Sequence, residues 1–292
     1  MQRTGNRQCR PQGLKGSTFS TIYDDMNDLI RQPAVAGMFY PADPDELRQM
    51  VDGYLQEALA RQDNLTEPPR AIIAPHAGFI YSGPVAASAY ARLIPFRDRI
   101  RRVVLLGPSH RVPFRGLATS SATHFQTPLG VIPVDRAAVE ELEKRFPQVI
   151  RLDEAHAMEH SLEVHLPFLQ EALDSFVLVP LVVGDATARE VSEVLESLWG
   201  DPHTLFVISS DLSHYHDYET ARRLDAATAQ AIEHLEPEAI GFDQACGRIP
   251  VTGLLDLARR HGLHVQTLDL RNSGDTAGPR DQVVGYGAWV VS

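Results

Sequence analysis

From Asp43 onward the apolar residues keep a helical period. Leu47, Met50, Val51, Tyr54, Leu55, Ala58 and Leu59 recur at i, i+3, i+4 and i+7, which predicts a helix with one buried face. Asp43 is placed to cap it, Pro44 suits the first helical position, and Glu46 completes a capping-box-like pattern. Beyond this helix, short apolar runs without alternation replace the helical period. Residues 71–74, 102–106, 176–183 and 204–209 read as strands buried on both faces. Between them, 84–93, 137–145, 187–198, 218–234 and 251–261 read as helices. Strands at 265–270 and 283–291 follow with little helix between, so the sheet is expected to be mixed. The expectation is an α/β fold in one domain, residues 32–292, with a mixed central sheet between helices. Residues 1–31, where Arg3, Arg7, Arg10 and Lys15 sit among Gln, Gly, Ser and Thr, read as a tail, disordered or an extension upstream of a start at Met26. An intact mass of the native protein tests the latter.

Histidines follow the strands. Ile72 and Ile73 lead to His76, Val103 to Leu106 lead through Gly107, Pro108 and Ser109 to His110, and Phe206 to Ile208 lead through Asp211 to His214. Ligands of open α/β sheets bind beyond the carboxyl ends of the strands, and imidazoles gathered there suit a transition metal. A single histidine after a strand is more often a hydrogen-bonded loop residue; three such clusters argue for a shared site, chiefly through His76 and His110. Pro75 and Pro108 stiffen the backbone just before the candidate ligands.

Two further clusters carry less weight. In residues 159–165 His160 and Glu163 share a helical face, whereas His160 and His165 stand about 140° apart at roughly 100° per residue. This is not the His-Glu-x-x-His pattern of zinc proteases. Glu159, His160 and Glu163 are read as cleft lining or support for ligands, with helix capping the competing reading. Cys246, in a loop between helices, is either a small buried hydrophobe or a ligand, and nearby Arg248 is expected to favour its thiolate. Residues 272–276 read as a polar turn.

Composition narrows the partners. The net charge of −11 works against nucleic acid or anionic lipid. No apolar run reaches the roughly 20 residues that span a bilayer. With only Cys9 and Cys246 no disulfide framework is expected, and a cytoplasmic location fits.

Together these segments resemble the Memo family, whose bacterial members are called AmmeMemoRadiSam system protein B. The motifs are GMFYP at 37–41, APHAGFIY at 74–81, GPSH at 107–110, EHSLEVHLP at 159–167, SSDLSH at 209–214, CGRIP at 246–250, NSGDT at 272–276 and VGY at 284–286. The resemblance runs from about Gln32 to the C-terminus. It implies a fold similar to LigB-type extradiol dioxygenases and a metal held by His76, His110 and Cys246, with Asp211 and His214 lining the same cleft. It also implies redox activity, iron or copper binding, phosphotyrosine-peptide binding in eukaryotic relatives, and AMMECR-type and radical-SAM partner proteins in bacteria. Two imidazoles and a thiolate differ from the two-histidine, one-carboxylate triad of oxygenases, so catechol cleavage does not follow.

Three readings result. The first is a metal-dependent redox enzyme with unknown substrate, using Fe(II), or else Cu or Zn, with His214 as acid-base residue oriented by Asp211. The second is a metal-stabilised module that binds a protein or peptide without turnover, with Arg111, Arg115 and Tyr81 contacting an anionic or aromatic ligand; Tyr81 and Ser109 are read as cleft lining in any case. The third is a zinc hydrolase with a metal-bound water.

Overall fold

The computed structural model describes Met1, residues 29–61 and residues 67–292; Cys9 and Met26 lie outside the described residues. The first helix, Pro44–Leu59, starts where expected, with the Asp43 carboxylate accepting from the Asp45 and Glu46 backbone N–H groups. Its apolar face, Leu47, Val51, Leu55 and Ala58, is buried.

One large mixed sheet forms the centre, with helices packed against it. Four of its strands run parallel as neighbours in the order Ala71–Ala74, Thr204–Ser209, Arg102–Pro108 and Val177–Val183. Apart from Arg102 and Val177 at their starts, all residues of these strands are buried. Such two-sided burial is why they read as unbroken apolar runs rather than alternating ones. Val283–Val291 adds antiparallel to Ala71–Ala74, and Val265–Asn272 pairs antiparallel with it in turn. That is the mixed character expected from the late strands. The core is continuous, with Trp289, Phe206, Ile72 and Leu105 fully buried.

Several elements depart from the expectation. The helix predicted at 84–93 spans Phe79–Tyr90 and tightens into a 3-10 turn at Ala91–Phe96. Pro84 lies inside it, where its missing N–H removes a single bond of the helical ladder. Short strands Leu117–Thr119 and Val149–Arg151 extend the far edge of the sheet, and His214–His216 pairs at the other edge. Three residues are too few to show a period. Residues 272–276 are not a plain turn, because Ser273–Thr276 is helical with Asn272 and Asp275 forming a reciprocal cap. Ile30–Arg31, at the end of the expected tail, forms a strand parallel to His124–Phe125. Among the described residues no helix is long and apolar enough to cross a membrane.

Candidate metal centre

The strand order explains the convergence. Ala71–Ala74, Thr204–Ser209 and Arg102–Pro108 are neighbours and parallel, so the loops that carry His76, Asp211 and His110 leave the same edge of the sheet side by side. The His76 and His110 ring centroids are 5.2 Å apart.

The third imidazole of the group is His160. Its ring centroid stands 4.6 Å from that of His110 and 5.5 Å from that of His76. One ring nitrogen of each of the three lies within 4.8 Å of the others. His160 is not on a helix with Glu163, as the spacing suggested. Glu154–Ala157 ends before it, and Glu163–His165 is a separate 3-10 turn. Tertiary bonds lay this segment across the strand ends. The Ser161 hydroxyl donates to the Pro108 carbonyl at 2.8 Å, and the Ser209 hydroxyl donates to the Ser161 carbonyl at 2.6 Å. Gly107 leaves the room, since a Cβ there would lie 2.7 Å from Ser161 Oγ. Glu163 faces the other way, onto Arg31, and His165 pairs with Tyr90 through Nδ1 at 2.7 Å.

Two rings are oriented by hydrogen bonds. His76 Nδ1 is 2.6 Å from Ser209 Oγ, whose own proton goes to the Ser161 carbonyl, so Nδ1 carries the proton and Nε2 presents its lone pair. His110 Nδ1 donates to Glu159 at 2.9 Å, which likewise frees Nε2. Glu159 is buried and also accepts from the backbone N–H groups of His110, His160 and Ser161. Burial opposes its ionisation, but these bonds and the His110 charge hold its carboxyl down at about 2. Burial, then the neighbouring histidines, pushes His76 well below its ordinary value, and burial followed by His110 lowers His160 to about 4. Both rings are therefore neutral at pH 7, each with a ring nitrogen unprotonated, as metal ligands must be.

Cys246 adjoins the group from the side of His76, with Sγ 3.3 Å from His76 Nε2 and 3.7 Å from the Asp211 carbonyl. Gly247 makes that approach possible, because a Cβ there would sit 2.3 Å from the Ser209 carbonyl oxygen. The expectation of a thiolate favoured by Arg248 does not hold for the metal-free thiol. Burial, then the Asp211 charge, pushes Cys246 up, and the Arg248 guanidinium lies over the Phe242 ring.

A cavity of about 370 Å³ opens beside His160, lined by Phe39, Tyr81, Asp211, His214 and Tyr215 among others. The Asp211 carboxylate accepts from the His76 backbone N–H at 2.7 Å, which directs it at the loop of His76 rather than at His214 as an orienting partner. Burial raises Asp211 to about 7 and lowers His214. Ser109 bonds within its own turn to the Val112 carbonyl. A wider groove of about 980 Å³, crossed by ion pairs such as Arg260 with Glu196, shares none of the clustered histidines.

These donors suit a metal ion. His76, His110 and His160 would hold such an ion through one ring nitrogen each, the donor type that suits a transition metal. The fold and the site thus define a mixed-sheet α/β protein with a histidine cluster of metal-binding type at its strand ends. The family model described as "Memo-like protein" matches residues 31–290, and the chain belongs to that family. It is 37% identical over 269 residues to a MEMO1 family protein of Aquifex aeolicus, covering 88% of this chain and 97% of that one. A MEMO1 family protein of Thermoplasma volcanium is 32% identical over 276 residues, 90% and 98% of the two chains, and one from Saccharolobus islandicus is 33% identical over 284 residues, 88% and 98%.

Proposed function

We propose that this chain is a metal-dependent oxidoreductase whose ion is held by His76, His110 and His160, with Cys246 as an added donor once its proton is lost. The observation that carries the reading is the approach of three imidazole nitrogens to within 4.8 Å of one another. Two of those rings are locked by Ser209 and Glu159 so that Nε2 carries no proton, that of His76 facing Cys246 Sγ at 3.3 Å. Bound there, an iron ion would supply one-electron chemistry at the edge of the cavity. Around it the chain's own groups manage protons. In the metal-free protein burial raises Asp211 to about 7 and lowers His214, so the two flank the cavity as a carboxyl and an imidazole that could give or take a proton. Tyr81, Tyr215 and Phe39 give the cavity an aromatic wall.

The test is anaerobic titration of chelator-treated protein with Fe(II), followed by oxygen uptake in the presence of candidate aromatic and protein substrates. Stoichiometric Fe(II) binding lost in His76→Ala, together with substrate-dependent oxygen uptake, supports the reading. Binding without uptake removes the redox assignment. Failure to bind in the intact protein removes the metal site as well. A second reading, zinc hydrolysis, is favoured by one feature, that three imidazoles with an open side match a catalytic zinc set. Zinc-dependent ester cleavage that iron does not support would decide for it.

A further inference from the structure

His76 and His110 are aligned by hydrogen bonds, but His160 is not. Its Nδ1 is buried without a hydrogen-bond partner, because the Glu159 oxygen 3.2 Å away lies off the line such a bond needs. Packing holds the ring instead. His110 stacks on it at 4.6 Å and 27°, and the Phe39 ring lies 4.7 Å from it. Phe39 belongs to a strap, residues 30–41, that crosses from a small sheet, Ile30–Arg31 with His124–Thr127 and Gly130–Pro133, to the mouth of the cavity. Gly37, at φ +80°, turns the strap, and the Phe39 carbonyl accepts from the Phe79 N–H at 2.7 Å.

One side chain fastens this strap along its length. Glu163 is fully buried and accepts from the Ala34 N–H at 2.7 Å, the Val35 N–H at 2.9 Å and the Tyr40 hydroxyl at 2.6 Å. It also pairs with Arg31. Arg31 in turn donates to the carbonyls of His156 and Glu159, which ties the strap to the segment that carries His160. A buried carboxylate saturated by four donors holds both anchors at fixed distance.

We infer that Glu163 is a positioning residue for the histidine cluster, acting through the strap by holding Phe39 against His160. This rests on the metal-site reading for its effect on metal, but the contact itself is independent of any ion. The hydrogen bonds of Glu163 go to Arg31 and the strap and to no ring of the cluster, although its charge also reaches His160; it sets the rotation and the solvent exposure of His160 through the strap.

The experiment compares Glu163→Gln, Phe39→Ala and the double variant. In metal-free protein, modification of His160 by diethyl pyrocarbonate is followed by peptide mass spectrometry, with exposed His264 as the internal standard. Both single variants are expected to raise His160 reactivity severalfold over the wild type, and the double variant to be no faster than Phe39→Ala, since the two changes break one connection. In Co(II)-loaded protein, chelator-driven release should quicken about tenfold, the lower range for losing a group that supports a ligand. A Glu163→Gln protein that melts lower while His160 reactivity and Co(II) release stay at wild-type values would overturn the inference, as would effects that multiply in the double variant. Wild-type protein that takes up no Co(II) would end the metal reading alone, leaving the labelling to decide the strap. If Glu163→Gln does not fold, Tyr40→Phe removes one of the four bonds and carries the same expectation at smaller size. Unchanged His160 reactivity in both Tyr40→Phe and Phe39→Ala would refute it.

Discussion

Replacing Glu159 by Gln tests how the site is built. The carboxylate is buried and accepts from His110 Nδ1 and from three backbone N–H groups, those of His110, His160 and Ser161. A glutamine keeps the shape but turns an NH₂ group toward at least one of these donors. The difference between an ordinary glutamate at 4.5 and the value of about 2 in the fold corresponds to about 3 kcal/mol in favour of the ionised state. Because the folded value is depressed, that stabilisation is complete above pH 4.5 and disappears as pH falls toward 2. In urea unfolding of metal-free protein at pH 7, the variant should lose about 3 kcal/mol, and the gap to the wild type should shrink as pH falls below 4.5. Its His110 ring, no longer held, should bind metal about tenfold to a hundredfold more weakly. A Glu159→Gln protein with the wild-type unfolding midpoint and undiminished metal affinity would refute the claim that this carboxylate organises the cluster.

Other outcomes follow from the same contacts. Ser209→Ala removes the partner of His76 Nδ1, so metal affinity should fall about tenfold by calorimetric titration, and a null result would show that the ring is held by packing alone. In Cys246→Ser, affinity for Cu(I) and Zn(II) should drop more than affinity for Fe(II), as a thiolate donor requires; equal losses across the three metals would deny the sulfur a donor role. Gly107→Ala places a methyl 2.7 Å from Ser161 Oγ, so it should displace the His160 segment and weaken metal binding together with stability, read by titration and thermal melting. Burial holds His156 at about 4 and His165 at about 3, both below the ordinary 6.5. The unfolded chain therefore binds more protons than the folded one between those values. Stability should fall as pH drops below 6.5, by about 3 kcal/mol or more per residue at completion, and a flat urea midpoint from pH 7 to pH 4 would contradict neutral burial.

The chain's own pattern determined the class of fold and the sheet edge at which His76 and His110 gather. Strands buried on both faces must be continuous apolar runs, so 71–74, 102–106 and 204–209 were legible, and the histidines that follow them were placed by backbone continuity alone. The cap at Asp43 and the helix after it were legible for the same local reason. The third imidazole was decided by tertiary structure. His160 reaches the cluster because Ser161 bonds to Pro108 and Ser209, residues about fifty positions away, and because Gly107 has no side chain to block it. Helical spacing paired His160 with Glu163, yet the chain turns between them and sends one to the cluster and the other to Arg31. Protonation belongs to the same category. Arg248 stands two residues from Cys246 in sequence, but burial and the Asp211 charge govern the thiol, and both arise only when distant segments pack and water is excluded.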